Sequence, residues 1–256
     1  MPESQVGQDW AQHFESEREA YRIRDGVSFL RRFTQSPFIQ LIRGYAQLKP
    51  GSRVLEAGCA SGKFSVCFAM LGCTVTALDF SPTMLENAAQ LRQAVELQTG
   101  PLDIQFIHGD LEHLDLEPDQ FDLVFNEGVV EHWLDHAERR AVLSNMARVT
   151  KRGAVVAAIV PNGHHPRMAD WMANSPAFLS APPMIRYNPQ LLRDDLASIG
   201  LVDPLVDGIY AWRTIDQWPT SRFLQLIGGG LQRLIPLPRR LRLKWGIHLI
   251  GMGRKG

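Results

Sequence analysis

The sequence predicts an α/β protein, an open doubly wound sheet, mostly parallel, with helices on both faces. Three observations carry that reading. Strand-like and helix-like stretches alternate from Arg53 to Val160, the pattern of successive βαβ units. Gly153–Val160 is apolar almost throughout, as a strand buried on both faces is. A glycine turn, GCASG at 58–62, follows the first strand directly.

Residues 1–50 read as a helical cap, with Trp10, Phe14, Tyr21, Phe29, Leu30 and Phe33 among charged residues, closed by Pro50-Gly51. Arg53–Cys59 is the first predicted strand. Ser61–Leu71 is a helix with Phe64, Cys67, Phe68 and Leu71 on one face, stopped at Gly72. Thr74–Phe80 is a β-branched strand. Ser81-Pro82 then caps a helix reaching about Gln98, ahead of Gly100-Pro101. Ile104–Asp110 and Phe121–Glu127 are the third and fourth strands, 133–149 a helix, and Gly153–Val160 the fifth strand.

Beyond Pro161 the periodicity loosens. Residues 161–188 hold five Pro, three Met and two His, and read as a lid or binding segment. Asn188–Ile199 returns to helix, 201–212 to strand, 219–237 to an apolar helix broken by three glycines, and 243–254 to a last strand. No domain boundary is evident, so 1–256 reads as one domain: the cap, a core over 53–162, and substrate-side insertions at 161–188 and 213–243.

Bulk properties exclude several classes. The 256 residues carry no net charge, with 45% hydrophobic and 21% charged residues, ordinary values for a globular protein. No basic stripe with interleaved aromatics marks a nucleic-acid face. After Asp216 there are eight basic residues and no acidic one. That end suits an anionic surface, such as peripheral contact with a membrane, or is simply a solvated face. Three Cys without paired spacing point to reduced thiols and a cytoplasmic setting. The polar start MPESQVGQDW is not a signal peptide, and Phe223–Gln232 is too short to span a bilayer.

The glycine turn asks which nucleotide it serves. A dinucleotide fingerprint needs three glycines where Gly58, Ala60 and Phe64 stand, and a P-loop needs Ser or Thr where Phe64 follows Gly62-Lys63. Glu56 would also repel a pyrophosphate. S-adenosylmethionine, a nucleoside without phosphates and with a cationic end, fits better. Glu56 favours its positive charge, and Gly58 and Gly62 let the backbone approach. The start of helix 61–71 offers N–H groups to its carboxylate. Asp79 can accept from the ribose hydroxyls and Asp110 from the adenine amino group, with Asn126, Glu127 and Gly128 beside the sulfonium. All lie at carboxyl ends of strands, where open α/β sheets bind ligands. The plain alternatives are a strand-end acid on local backbone for Glu56, a helix cap for Asp79 and a turn residue for Asp110.

VLEAGCASG (54–62), ALDFS (77–81), HGDLE (108–112), FDLVFNEGVVEHW (121–133), RVTKRGAVVAAIVPN (148–162), YNPQLLRDDLASIG (187–200) and HLIGMGRK (248–255) together resemble the class I S-adenosylmethionine-dependent methyltransferases, of the small-molecule type that includes quinone-biosynthesis enzymes. The resemblance implies a Rossmann-like seven-stranded sheet with the last strand antiparallel. It implies a cofactor site that also takes in Cys59, Ala60 and Leu111, and a small-molecule acceptor. Ala60 departs from the family's usual middle glycine. Phe80 and Met84 flank the adenine or serve the core, and Tyr21 covers the cofactor or packs. His132 is a base or substrate contact, or a structural residue at a helix start. His132 and His136 stand four apart, but the zinc pattern requires Glu after the first His and Trp133 is there, so no metal site is expected. Three rivals remain: an aminopropyl transferase, an NAD-dependent oxidoreductase, and a protein that binds S-adenosylmethionine without turnover.

Overall fold

In this computed structural model the described residues are 10, 12, 13, 26–174, 182–209 and 237–256. In chain order they form α1 (Gly26–Phe33), α2 (Pro37–Ala46), β1 (Arg53–Ala57), α3 (Lys63–Met70), β2 (Thr74–Asp79), α4 (Pro82–Thr99), β3 (Ile104–His108) and β4 (Phe121–Glu127). A short 3-10 turn over Val130–His132 precedes α5 (His136–Val149). Then come β5 (Thr150–Pro161), α6 (Met168–Asn174), α7 (Pro189–Ser198), β6 (Leu201–Ile209), α8 (Arg239–Trp245) and β7 (His248–Lys255).

The sheet has seven strands in the order β3-β2-β1-β4-β5-β7-β6. Strands β1 to β5 pair parallel, while β7 runs antiparallel to both β5 and β6. The chain winds outward from β1 to β3, then returns to place β4 on the other side of β1. That reversal puts a topological switch point between β1 and β4, where a crevice opens at the carboxyl ends of the strands.

Alternate residues of each strand face two separate cores. Val54, Leu123 and Phe125 pack with Phe38, Ile42, Phe64, Phe68 and Leu91 on one side. Leu55, Val124 and Val156 pack with Val142, Leu143, Met146, Leu192 and Leu196 on the other. The second side is pinned by a buried polar network. Asp195 accepts from Arg139 Nε at 2.9 Å and from the Tyr187 hydroxyl at 2.7 Å, tying α5 to α7 and to the segment before it. A buried charge pair of this kind is tolerated where further hydrogen bonds support it: Arg139 Nη1 donates to the carbonyls of Trp133 and Leu134.

The structure corrects two sequence expectations. The helix expected from residue 133 begins at His136, because the Asp135 side chain caps it, accepting from the amides of Ala137 and Glu138. The last strand, expected from 243, begins at His248, since residues 239–245 are helical. Arg242 is the reason: its guanidinium bonds both carboxylate oxygens of Asp207 on β6, a pairing no local pattern reveals. Among the described residues of the basic end, three more are tied down by hydrogen bonds. Arg239 donates to Val206, Arg254 to Gly153 and Tyr45, and Lys255 to Asp119, Arg148 and Thr150, which accounts for these charges as structural ties. The strand expected over 210–212, the helix over 219–237 and most of the 213–243 insertion lie outside the described residues. No helix among the described residues is long and apolar enough to cross a membrane.

Helix α8 docks so closely on β6 that a Cβ built on Gly208 would lie 1.8 Å from the Arg242 carbonyl oxygen. Gly208→Ala must therefore push the helix off the strand. Urea denaturation is expected to show a loss of about 2–3 kcal/mol; an unchanged midpoint would mean that α8 contributes nothing to the fold.

Candidate functional site

The carboxyl ends of β1, β2 and β4 assemble the site. Strand β1 stops at Ala57 because Gly58 takes φ 84°, a left-handed conformation that glycine adopts without penalty. The turn is then held by β2. Gly58 and Cys59 both donate their amides to the Leu78 carbonyl, at 2.8 and 2.9 Å. Ala60 takes φ 42°, where a Cβ costs about 1 kcal/mol, and donates its amide to Asp79 Oδ2 at 2.7 Å. Gly62, at φ 72°, caps α3 and packs so tightly on Ala88 of α4 that a Cβ would lie 2.7 Å from that residue's own. Asp79 itself is buried. Its Oδ1 accepts from the Ser81 amide at 2.9 Å, and burial pushes its carboxyl up to about 6 against the pull of these hydrogen bonds. The cap of α4 is Ser81, whose side chain accepts from Met84 N. Asp79 is thus a loop-bracing carboxylate, answered by the amides of Ser81, Ala60 and Phe80.

Glu56 lies on β1, 2% exposed. Its carboxylate accepts from both the hydroxyl and the amide of Ser65 on α3. Burial nevertheless drives its pKa up to about 8, and the nearby charge of Glu127 adds to that. At the end of β4, Gly128 turns at φ 71° and its amide bonds Ile159. Val129 then reaches the glycine turn: its Cγ2 would lie 2.7 Å from a Cβ on Gly58. Glu131, in the 3-10 turn that follows, is buried and also lifted to about 8, by desolvation first and by Glu127 among the smaller causes. Glu127 thus raises the proton affinity of both Glu56 and Glu131, and three carboxyl groups gather at the switch point.

His132 is buried, and burial lowers its pKa. Its Nδ1 lies 3.0 Å from the Pro183 carbonyl, which can only accept, so the proton sits on Nδ1 and Nε2 keeps its lone pair. Trp10 packs edge-on against the ring, at 4.8 Å between centroids. The residues after Pro182 also cover this turn, because Ile185 donates its amide to Glu131 O at 2.8 Å.

Other expected residues sit as follows. Asn126 is fully buried, with Nδ2 3.3 Å from Met146 Sδ on α5 and Oδ1 without a partner. Asp110 Oδ1 accepts from the Glu112 amide at 2.9 Å, and its side chain is partly exposed. Leu111 and Met84 are buried core residues, and the Phe80 carbonyl pairs with His108 Nε2 at 2.8 Å. Tyr21 lies outside the described residues. Asp110, Glu112 and His113 bring three ligand atoms within 4.8 Å of one another. Glu112 there already accepts from Trp133 Nε1 at 2.6 Å, so local hydrogen bonds account for the group. His165 serves a turn, accepting from the Arg167 amide at 3.1 Å. Sequence reasoning missed Ser65, whose signal is a small polar residue on the buried side of an apolar helix, and Glu131, which lies within the motif at 121–133 but was given no role.

Residues 55–158 match the family model for a methyltransferase domain. Over this stretch the chain is similar to methyltransferase domains. Curated relatives agree with it: the malonyl-[acyl-carrier protein] O-methyltransferase of Serratia marcescens is 35% identical over 113 residues, 44% of this chain and 40% of that protein. The mitochondrial ubiquinone biosynthesis O-methyltransferase of Schizosaccharomyces pombe is 34% identical over 110 residues, 43% and 38% of the two chains. The chain thus spans about two fifths of the length of these relatives. Among solved structures, a SAM-dependent methyltransferase from Thermotoga maritima superimposes with a TM-score of 0.60 over 98% of this chain and all of the other, at 15% identity, so the two share a fold.

The buried acids of the domain make a test in solution possible. Glu56 has a higher pKa folded than unfolded, so the native state holds an extra proton from about pH 5 to about pH 8. Its contribution is complete below that window and is lost as pH rises through about 8. Glu56→Gln keeps an acceptor for Ser65 and removes the titration. Urea denaturation from pH 5 to pH 9 is expected to show the wild type losing at least about 1.4 kcal/mol more than the variant; parallel curves would show that Glu56 is ionised throughout.

Proposed function

We propose that this protein transfers a methyl group from S-adenosylmethionine to a small-molecule acceptor through an oxygen or carbon nucleophile. The observation that carries the reading is the gathering of two buried acids, Glu56 and Glu131, around Glu127 at the switch point of the sheet. A nearby cation would favour their ionised forms, so the site suits a nucleoside with a cationic end and opposes the two phosphates of a dinucleotide.

The residues present fit that cofactor. The carboxylate of buried Asp79, at the end of β2, suits the ribose hydroxyls. Asp110 suits the adenine amino group, and the carboxylates beside β1 and β4 suit the ammonium and sulfonium. Strain at Ala60 is absorbed by its bond to Asp79, so the alanine is compatible with binding. When bound, the cofactor supplies a methyl group already activated by the sulfonium. What the chain adds is alignment of the acceptor and exclusion of water, for which the cover of Trp10 and Pro183 over His132 is suited. His132, neutral and with Nε2 unprotonated, is the candidate to take a proton from an acceptor that carries one. The O-methyltransferase names of the relatives support an oxygen nucleophile.

Asp79→Ala removes the ribose acceptor and the brace on Ala60 together. Calorimetric titration with S-adenosylhomocysteine is expected to show about 30-fold weaker binding, roughly 2 kcal/mol. Unchanged affinity would place the nucleoside elsewhere.

A further inference from the structure

We propose that Glu131 senses the charge of the cofactor sulfur, ionising as the sulfonium of S-adenosylmethionine enters and taking its proton back when the neutral thioether of S-adenosylhomocysteine occupies the same place. The inference rests on the cofactor reading above and assigns it a residue that the motif comparison passes over.

Glu131 is 1% exposed, yet its Oε2 has no hydrogen-bond partner. Its Oε1 faces the Gly128 turn, 3.9 Å from where a Cβ on that glycine would stand, and the amides of Val129 and of Glu131 itself favour its ionised form. Among the described residues, no positive charge acts on its titration. Glu127, from the end of β4, raises its proton affinity. Tyr187, from the covering segment, is a neutral phenol committed to Asp195, and Arg139 behind it is paired with the same Asp195. Glu56 differs here, because Ser65 answers its carboxylate.

An unmet acceptor in the interior costs about 1–3 kcal/mol, more when charged. Such groups persist where something outside the chain completes them. Asn126 Oδ1, at the same strand end, is a second buried oxygen without a donor. A cation is the ligand that would repay both oxygens. A neutral sulfur would leave Glu131 as it is in the free protein, protonated through burial. Cation binding would then release a proton to solvent, and loss of the positive charge would recover one, so the site would hold the charged cofactor and loosen on the neutral product.

The test is calorimetric titration of wild type and Glu131→Gln with S-adenosylmethionine and S-adenosylhomocysteine, at about pH 6.5 and about pH 9, in two buffers of different ionisation enthalpy. In wild type the ratio of the two affinities is expected to move about tenfold toward the sulfonium at high pH, with proton release at low pH confined to the charged ligand. In the variant the ratio should move less than about threefold and the extra proton release should vanish. Retained binding of S-adenosylhomocysteine would show that the variant is folded. A ratio that moves equally in both proteins, or does not move in wild type, overturns the role of Glu131 and leaves the cofactor reading intact. Wild-type protein that binds neither ligand overturns both.

Discussion

The hydrogen bond from the Ala60 amide to Asp79 is the constraint around which the crevice is arranged. It joins the end of β1 to the end of β2 across 19 residues of sequence and holds a non-glycine residue in a left-handed conformation. Gly58 and Cys59 are fixed by the same strand through the Leu78 carbonyl. The turn is therefore specified by its neighbour in the sheet rather than by its own flexibility. Once it is fixed, Gly62 can seat α3 against α4, and Gly58 can receive Val129 from the far side of the switch point.

That close packing also explains the unusual electrostatics. Val129 presses the β4 turn onto the β1 turn, so carboxylates from two strands share a space from which water is excluded. Each alone would be expensive to ionise, and together they are more so. The fold tolerates them because Glu56 is answered by a helix and Glu131 can remain protonated. Polar strain of this sort, surrounded by two well-packed apolar cores, is the signature of a place where binding rather than folding sets the composition.

Much of this was legible in the sequence, and the reasons differ by element. The β1 to β5 alternation was readable because buried parallel strands are apolar runs and because Ser81-Pro82 marks the start of α4 locally. Asp79 was found because strand-end acids stand out against apolar neighbours. The start of α5 was misplaced because Trp133 and Leu134 continue an apolar pattern that the cap at Asp135 interrupts. The start of β7 was misplaced because Arg242 and Asp207 meet only in three dimensions. Glu131 went unvalued because burial without a partner is a property of the folded environment, which its neighbours in the sequence do not announce.

The antiparallel strand has a consequence for how the chain comes to its shape. β7 is the last described element, yet it lies inside the sheet, between β5 and β6. During vectorial synthesis β6 leaves the ribosome before the strand it pairs with, and β5 waits with one edge open. The nascent chain can assemble its first five strands early, but that half of the sheet closes only after residues 248–255 arrive. Until then the open β5 edge is a natural place for a chaperone to bind.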